Sequence, residues 1–409
     1  MVFETIKQIY PESSSNEIIE IRNLTTDVIC HCHTFIRKIY DESSVSLREV
    51  RRFNIFFKYF TNYLSNDSEY KNKYSSIKEK FIDSINLTTY LCYYLRLSEK
   101  EFRKKLQKDL TEIFGKDFLD VPMREESFIA EQFIIEKEKG IALNRALREN
   151  LFTLFVCPVN SVPLIICGKP GTGKSLSVNS LYSSMKGNYS KSKLFRQYKQ
   201  LYISSYQGSE TSTSQGIKEA FAGARAPLIK LEKENKEQNI ISMLFFDEMG
   251  LAEKSKNNPL KAIHSELKYD QNKYKIAIVG ISNWKLDASK MNRALYLSVP
   301  DPDNEDLIDT STAIAQSVDS SLANNYNELF IALANTYYDY KEKVKSSKSE
   351  GDFHGNRDFY HLIKNAIYQL IKKKDEINSL NKNHILTEIG LKSLERNFGG
   401  LPNSIDKIK

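Results

Sequence analysis

Cysteine is scarce in this 409-residue chain, with five in all: Cys30, Cys32, Cys92, Cys157 and Cys167. They form no even framework, so a disulfide-stapled scaffold is excluded and a reducing compartment, the cytoplasm, is expected. Cys157 and Cys167 lie among apolar residues and read as packed thiols. Long apolar runs are also missing. The longest is about seven residues, against the roughly 20 that cross a bilayer. The start, "MVFETIKQIYPESS", has no basic segment followed by an apolar one, so no signal peptide is read there. Glycine is absent before Gly115. A strong charge imbalance is lacking too: the formal net charge is +7, with lysines and acids interleaved. The best basic stretch, "KGNYSKSKLFRQYKQ" from Lys186 to Gln200, reads as a solvated loop and helix face, and a nucleic-acid partner is not expected.

What is present is globular. Hydrophobic residues make up 41% and charged residues 27%, enough for a core and for two or three domains. Residues 1–120 read as helical: "SLREVRRFNIFFKYFTNYL" and "TTYLCYYLRLSEKEFRKKL" place apolar and aromatic residues at helical spacing. Pro122 and "REES" suggest a boundary. A helix, "ALNRALRENLFTLFVC", is expected to stop at Pro158. Strand-like runs "VPLIICG", "QLYISSYQ", "ISMLFFDE" and "YKIAIVGIS" then alternate with helical segments, which implies a parallel sheet with helices on both faces. The chain is expected to turn helical again after "LYLSVPDPDNEDL". The expected division is 1–120, 128–304 and 305–409. "VSLREVRR" and "HGNRDFYH" both place an arginine and then an acid at the start of an aromatic-rich helix, a weak internal repeat or a coincidence.

Three stretches carry chemistry. "LIICGKPGTGKSLSVNSLY" fits G-x-x-x-x-G-K-[ST] with Gly168, Gly173, Lys174 and Ser175. Its glycines let successive backbone amides curl around a phosphate, and the helix that follows favours an anion. Lys174 would reach the β- and γ-phosphates and the Ser175 hydroxyl would ligate Mg²⁺. The expected nucleotide-binding set is Gly168, Lys169, Pro170, Gly171, Thr172, Gly173, Lys174, Ser175 and Leu176. "MLFFDEMG" ends a buried strand in two carboxylates: Asp247 for the metal and Glu248 as the base for the attacking water. "IAIVGISN" brings Asn283 to another strand end, where ligands of parallel sheets bind. The same stretches alone are also compatible with a glycine turn and polar strand ends.

The order of these pieces resembles an AAA+ ATPase: an α/β P-loop core with a C-terminal helical lid. "SYQGSETSTSQGI", "FFDEMGLAEKSKNNPLKAIHSEL", "VGISNWKLDASKMNRALYLSV" and "HGNRDFYHLIKN" are similar to the hydrolysing AAA+ unit of the mysterin type, giant RING-finger ubiquitin ligases of the dynein-like AAA+ branch. The resemblance spans roughly 128–400 and implies Mg²⁺-dependent ATP hydrolysis. It implies that Arg357 is the lid's sensor arginine, that Arg293 reaches a neighbouring module's γ-phosphate or forms an edge salt bridge, and that residues 1–120 resemble the lid of a preceding unit, with Arg48 its arginine. Neighbouring AAA+ modules are the implied partners, and ubiquitin-pathway or protein substrates would come through parts not present. There is no RING: five dispersed cysteines cannot supply eight zinc ligands, so ubiquitin transfer is not supported, and "CHCH" at Cys30–His33 reads as packing. An ATP-holding brace without turnover and a nucleic-acid-dependent motor stand as alternatives. No N-K-x-D motif points to GTP.

Overall fold

The structure, a computed structural model, describes residues 15–66, 76–136, 139–237, 239–266, 273–287, 292–346, 354–373 and 382–399. The reading of the chain start as free of a signal peptide falls outside them. Contacts divide the chain into two compact units. One holds the described residues up to Phe133, with Glu149–Gly168 and Ser175–Pro300; the other holds Ile134–Arg148, Lys169–Lys174 and the described residues from Asp301 onward.

The first unit begins with helices. α1 (Ser15–Ile39) buries Ile18, Ile21, Thr25, Val28, Cys32 and Phe35, a stripe spaced three and four apart that faces one side of a helix. α2 (Leu47–Asn66) buries Phe53, Phe56, Phe57 and Phe60, each contributing about 2–3 kcal/mol by burial. α3 (Ile77–Thr89) starts where the Ser76 hydroxyl accepts the Glu79 N–H at 3.1 Å. It widens into a buried π-turn, Tyr90–Tyr94, closed by Leu95 N–H to Tyr90 C=O at 3.1 Å. α4 (Lys100–Phe114) ends on left-handed Gly115, φ 67°, the usual C-terminal device. α5 (Asp120–Glu131) runs straight through Pro122 and "REES", where a break was expected. Pro122 sits in the first turn, where its missing N–H would have had no intrahelical partner. α6 (Arg145–Val159) likewise runs past Pro158 by one residue.

The sheet follows. β1 (Leu164–Cys167) leads into α7 (Lys174–Ser184). A short α8 (Lys193–Arg196) precedes β2 (Gln200–Gln207), then come α9 (Ser214–Lys233), β3 (Ile240–Asp247), α10 (Met249–Glu253), α11 (Lys261–Glu266), β4 (Ala277–Ser282) and β5 (Leu295–Ser298). All pairs are parallel, in the order β2-β3-β4-β1-β5. β5 was not read as a strand from sequence. It is four buried residues long and pairs with β1 from Leu164↔Leu295 to Cys167↔Ser298. One core packs Ile165, Leu244 and Phe246 of the sheet with Ile217, Phe221 and Leu228 of α9 and Ile263 of α11.

The N-terminal helices are fastened to this sheet by Arg103. Its guanidinium donates to both oxygens of Glu149 at 2.6 and 3.1 Å, and to the carbonyls of Leu97 (2.8 Å) and Ser298 (2.9 Å). Burial pulls its pKa down, but the Glu149 carboxylate overrides this and raises it. Breaking so enclosed a pair costs about 3–5 kcal/mol.

The second unit is helical: α12 (Asn304–Val318), α13 (Ser320–Asn325), α14 (Asn327–Ser346), α15 (Asn356–Lys372) and α16 (Lys382–Phe398). Phe330, Tyr337, Phe359, Leu362, Ile363 and Phe398 lie in its core. α12 opens with a capping box between Asp303 and Asp306. Asp306 also accepts from the Arg145 backbone N–H at 2.9 Å and guanidinium at 3.0 Å, which straps the preceding segment to α12.

Candidate nucleotide site

In the first unit, β3 and β4 deliver their polar residues side by side. Asp247 ends β3, and its Oδ1 accepts the Glu248 N–H at 2.8 Å. Glu248 sits in the left-handed region, φ 48° and ψ 44°, a conformation that costs a side-chain-bearing residue about 1–3 kcal/mol and recurs at functional positions. Two glycines make room for this turn. A Cβ on Gly208 would lie 2.4 Å from the Glu248 carbonyl oxygen, and one on Gly250 would lie 2.7 Å from the Ser282 hydroxyl. Asn283, just past β4, donates its amide to both Glu248 carboxylate oxygens, at 3.2 and 3.0 Å. The carboxylate therefore has a fixed direction. Gly168, directly after β1, is joined to the end of β4 through its N–H to Ser282 C=O at 3.2 Å. Ser175 is exposed in the first turn of α7 and Leu176 beside it is half-buried.

In the second unit, the loop Lys169–Lys174 packs on the start of α15. Gly171 and Gly173 have φ of 86° and 76°, which glycine adopts without steric cost. Thr172 Oγ1 and Lys174 Nζ both donate to the Lys169 carbonyl, at 2.8 and 3.0 Å, and Lys174 is buried. Lys169 Nζ reaches Asp301 at 3.0 Å, and Pro170 is exposed. Tyr360 donates its hydroxyl to the Gly171 carbonyl at 2.7 Å. Burial, and then Asp306, push the Tyr360 pKa up to about 12, so it remains a donor. A Cβ on Gly171 would lie 2.9 Å from Asn356 Cβ and 3.6 Å from Arg357 Cγ. Arg357 is thus beside the loop, and exposed. Tyr360, Asn356 and Asp301 were not foreseen. The only signal for Tyr360 is its place three residues after Arg357, on the same helix face.

Arg293 stands at a third place, in the turn before β5. Its Nε is buried with no hydrogen-bond partner among the described residues. Burial, and then the guanidinium of Arg48, hold its pKa below the ordinary arginine value. The alternative reading, an edge salt bridge, finds no carboxylate partner for Arg293 among the described residues. The surrounding backbone is pinned: Arg52 donates to Asn292 C=O at 2.6 Å, and Asn292 to Ser43 C=O at 2.7 Å. "CHCH" is packing: His31 pairs with Asp109 at 3.1 Å, His33 with the Tyr93 hydroxyl at 3.1 Å, and Cys32 is buried. Cys157 and Cys167 are buried and outside any disulfide, the packed positions expected of them. No described helix is long and apolar enough to cross a membrane.

A parallel sheet with helical parts, a glycine loop after β1 and acids after β3 define an α/β P-loop AAA module. Residues 140–306 match the family described as the RNF213 AAA domain. The chain is 32% identical over 361 residues to the E3 ubiquitin-protein ligase RNF213 of Homo sapiens, a match covering 83% of this chain and 7% of that protein. It is 29% identical over 404 residues to the E3 ubiquitin-protein ligase rnf213-beta of Danio rerio, covering 95% and 8%. With RNF213 of Mus musculus it shares 29% over 398 residues, covering 92% and 7%. The chain therefore carries an AAA domain of the RNF213 kind, the mysterin type that its motifs resemble, and spans less than a tenth of the length of these relatives.

Proposed function

We propose that this module binds ATP with Mg²⁺ and hydrolyses it. The observation that carries the reading is the Glu248 carboxylate held by Asn283 at adjacent strand ends. A general base must be aimed before it can take a proton, and a two-point amide grip aims it. The curled backbone of Gly171 and Gly173 and the buried Lys174 suit the phosphates. Ser175 and Asp247, a hydroxyl and a carboxylate, are the hard oxygen donors that Mg²⁺ takes. When bound, the metal neutralises charge on the β- and γ-phosphates. In this reading Lys174 steadies the γ-phosphate, Glu248 accepts the proton of the attacking water, and Arg357 approaches the phosphates from α15.

Arg293 and Arg48 are assigned to a neighbouring AAA+ module: a buried, unsatisfied Arg293 Nε, in a positive field to which Arg48 adds, suits an anion brought from outside. On this reading residues 1–120 belong to a lid serving that neighbour. Cysteines outside any disulfide suit the cytosol. On this reading the module is a motor within a ligase of the kind its RNF213 relatives are named for, with ubiquitin transfer performed elsewhere.

The test is ATP turnover beside nucleotide binding. Glu248→Gln is expected to lower turnover by about 10²–10⁴-fold with binding retained, and Lys174→Ala to weaken binding. Turnover and binding unchanged in both variants overturn the reading. Wild-type chain that retains ATP and releases no phosphate assigns it to a brace.

A further inference from the structure

We propose that the surface formed by residues 182–202 binds single-stranded nucleic acid. The charge distribution comes first. The chain has 59 Lys and Arg against 52 Asp and Glu. Seven of those cations fall within 150–209, a stretch with no acid, so the rest of the chain holds 52 of each sign. The entire formal excess of +7 therefore belongs to this stretch. Five of its cations, Lys186, Lys191, Lys193, Arg196 and Lys199, lie in one excursion between α7 and β2.

The fold draws that excursion together. Leu201 N–H donates to Met185 C=O at 3.0 Å, joining its ends. Gly187, φ 59°, packs so closely on Gln200 that a Cβ would lie 3.2 Å from its nitrogen. Arg196 Nε donates to Ser190 C=O at 2.8 Å, and Ser192 Oγ to Gln132 at 2.7 Å. Phe195 is fully buried, edge-on to Phe133 at 4.9 Å. The apolar residues Met185, Leu194 and Phe195 thus face inward. Three tyrosines face outward: Tyr189 is 90% exposed, Tyr182 49% and Tyr202 46%. Lys186 Nζ lies 3.5 Å from the Tyr182 ring centre. Among the described residues, Lys186, Lys191, Lys193 and Arg196 pair with no carboxylate.

Cations without a carboxylate partner and exposed aromatic rings within one excursion are the two components of a single-strand surface: charge follows the phosphates and rings stack on bases. The shared chemistry of RNA and DNA strands is sufficient. A membrane fits less well, because the aliphatic side chains that would insert are buried, and an acidic peptide leaves the rings unused. The stretch first read as a solvated face is, once folded, a compact cationic surface.

The test uses the full chain without ATP, so its outcome is separate from that of the hydrolysis reading. Binding of labelled oligouridine and oligothymidine of about 20 nucleotides is followed by anisotropy, beside a duplex of the same length, polyglutamate and phosphatidylserine vesicles. Wild type is expected to bind the single strands, the tighter of the two naming RNA or DNA as the ligand. Lys191→Glu with Lys193→Glu is expected to weaken binding about tenfold or more and to flatten the salt slope by about 1.4. Tyr189→Ala is expected to weaken it about tenfold. Both variants change exposed side chains and should keep the wild-type melting temperature. Absence of wild-type binding, equal binding by the variants, or equal binding of duplex, polyglutamate or vesicles overturns the proposal.

Discussion

α2 and α15 start alike. Each has an exposed arginine second and an acid third: Arg48 and Glu49, Arg357 and Asp358. In each the acid reaches back over the first turn. Glu49 accepts the Ser46 N–H and Asp358 the Gly355 N–H, both at 2.7 Å. What faces the two arginines differs. Arg357 lies against the backbone of Gly171, in a glycine loop belonging to the same unit. Arg48 instead adds to the positive field at Arg293, whose pKa it helps to lower. The cap therefore fixes where the arginine is displayed, and the opposite surface decides what it can bind. An arginine that starts beside a curled glycine loop can share one anion with its amides, whereas two cations that repel each other need an anion from elsewhere.

The sharpest way to break the comparison is to remove each arginine in turn. Arg357→Ala is expected to lower ATP turnover about 100-fold, the size of losing one donor to developing charge. Arg48→Ala is expected to stay within about twofold of wild type in dilute chain, since its ligand comes from another module. Steady-state phosphate release measures both. Equal losses would mean that the two helix starts do the same work.

The extent to which sequence anticipated this follows from the range of the interactions. Four strands were legible because an apolar run bounded by glycine and polar residues is local information. β5 was not, because four residues running into Val299 and Pro300 resemble a linker until β1 lies beside them. Pro122 was read as a break because its place within a helix depends on where the helix begins. The glycine loop and the acid pair could be found by spacing, but the Asn283 grip on Glu248 joins residues 35 apart in sequence. Arg293 carries a signal in the sequence, yet the unsatisfied Nε and the field that Arg48 adds to it are properties of the fold alone.

A smaller effect is expected in the loop that only α15 has. Gly171→Ala puts a side chain at φ 86° and a methyl 2.9 Å from Asn356 Cβ. The left-handed backbone alone costs about 1–2 kcal/mol, so thermal unfolding should show a loss of about 2 kcal/mol. Gly355→Ala, at the cap of the same helix, meets nothing within 4 Å and has φ −109°. It should be neutral or stabilising by up to about 1 kcal/mol. Equal losses at the two positions would show that the loop does not rest on the start of α15 as described.

The smallest effect lies in the acid that caps α2. Burial pushes the Glu49 carboxyl up, but the guanidiniums of Arg52, at 2.9 Å, and of Arg96, together with the Ser46 N–H, outweigh it and hold the group below its ordinary value of 4.5. The folded chain therefore binds this proton less readily than the unfolded chain. Stability from Glu49 is complete above the unfolded value and is lost as pH falls through the lower folded value. Denaturant unfolding from about pH 6 down to about pH 3 should lose about 1 kcal/mol from this group, the size of a helix cap. Glu49→Gln, which has no proton to gain, should remove that part of the pH slope. An unchanged slope in the variant would mean that Arg52 and Arg96 do not hold the carboxylate, and that the start of α2, unlike that of α15, owes nothing to its acid.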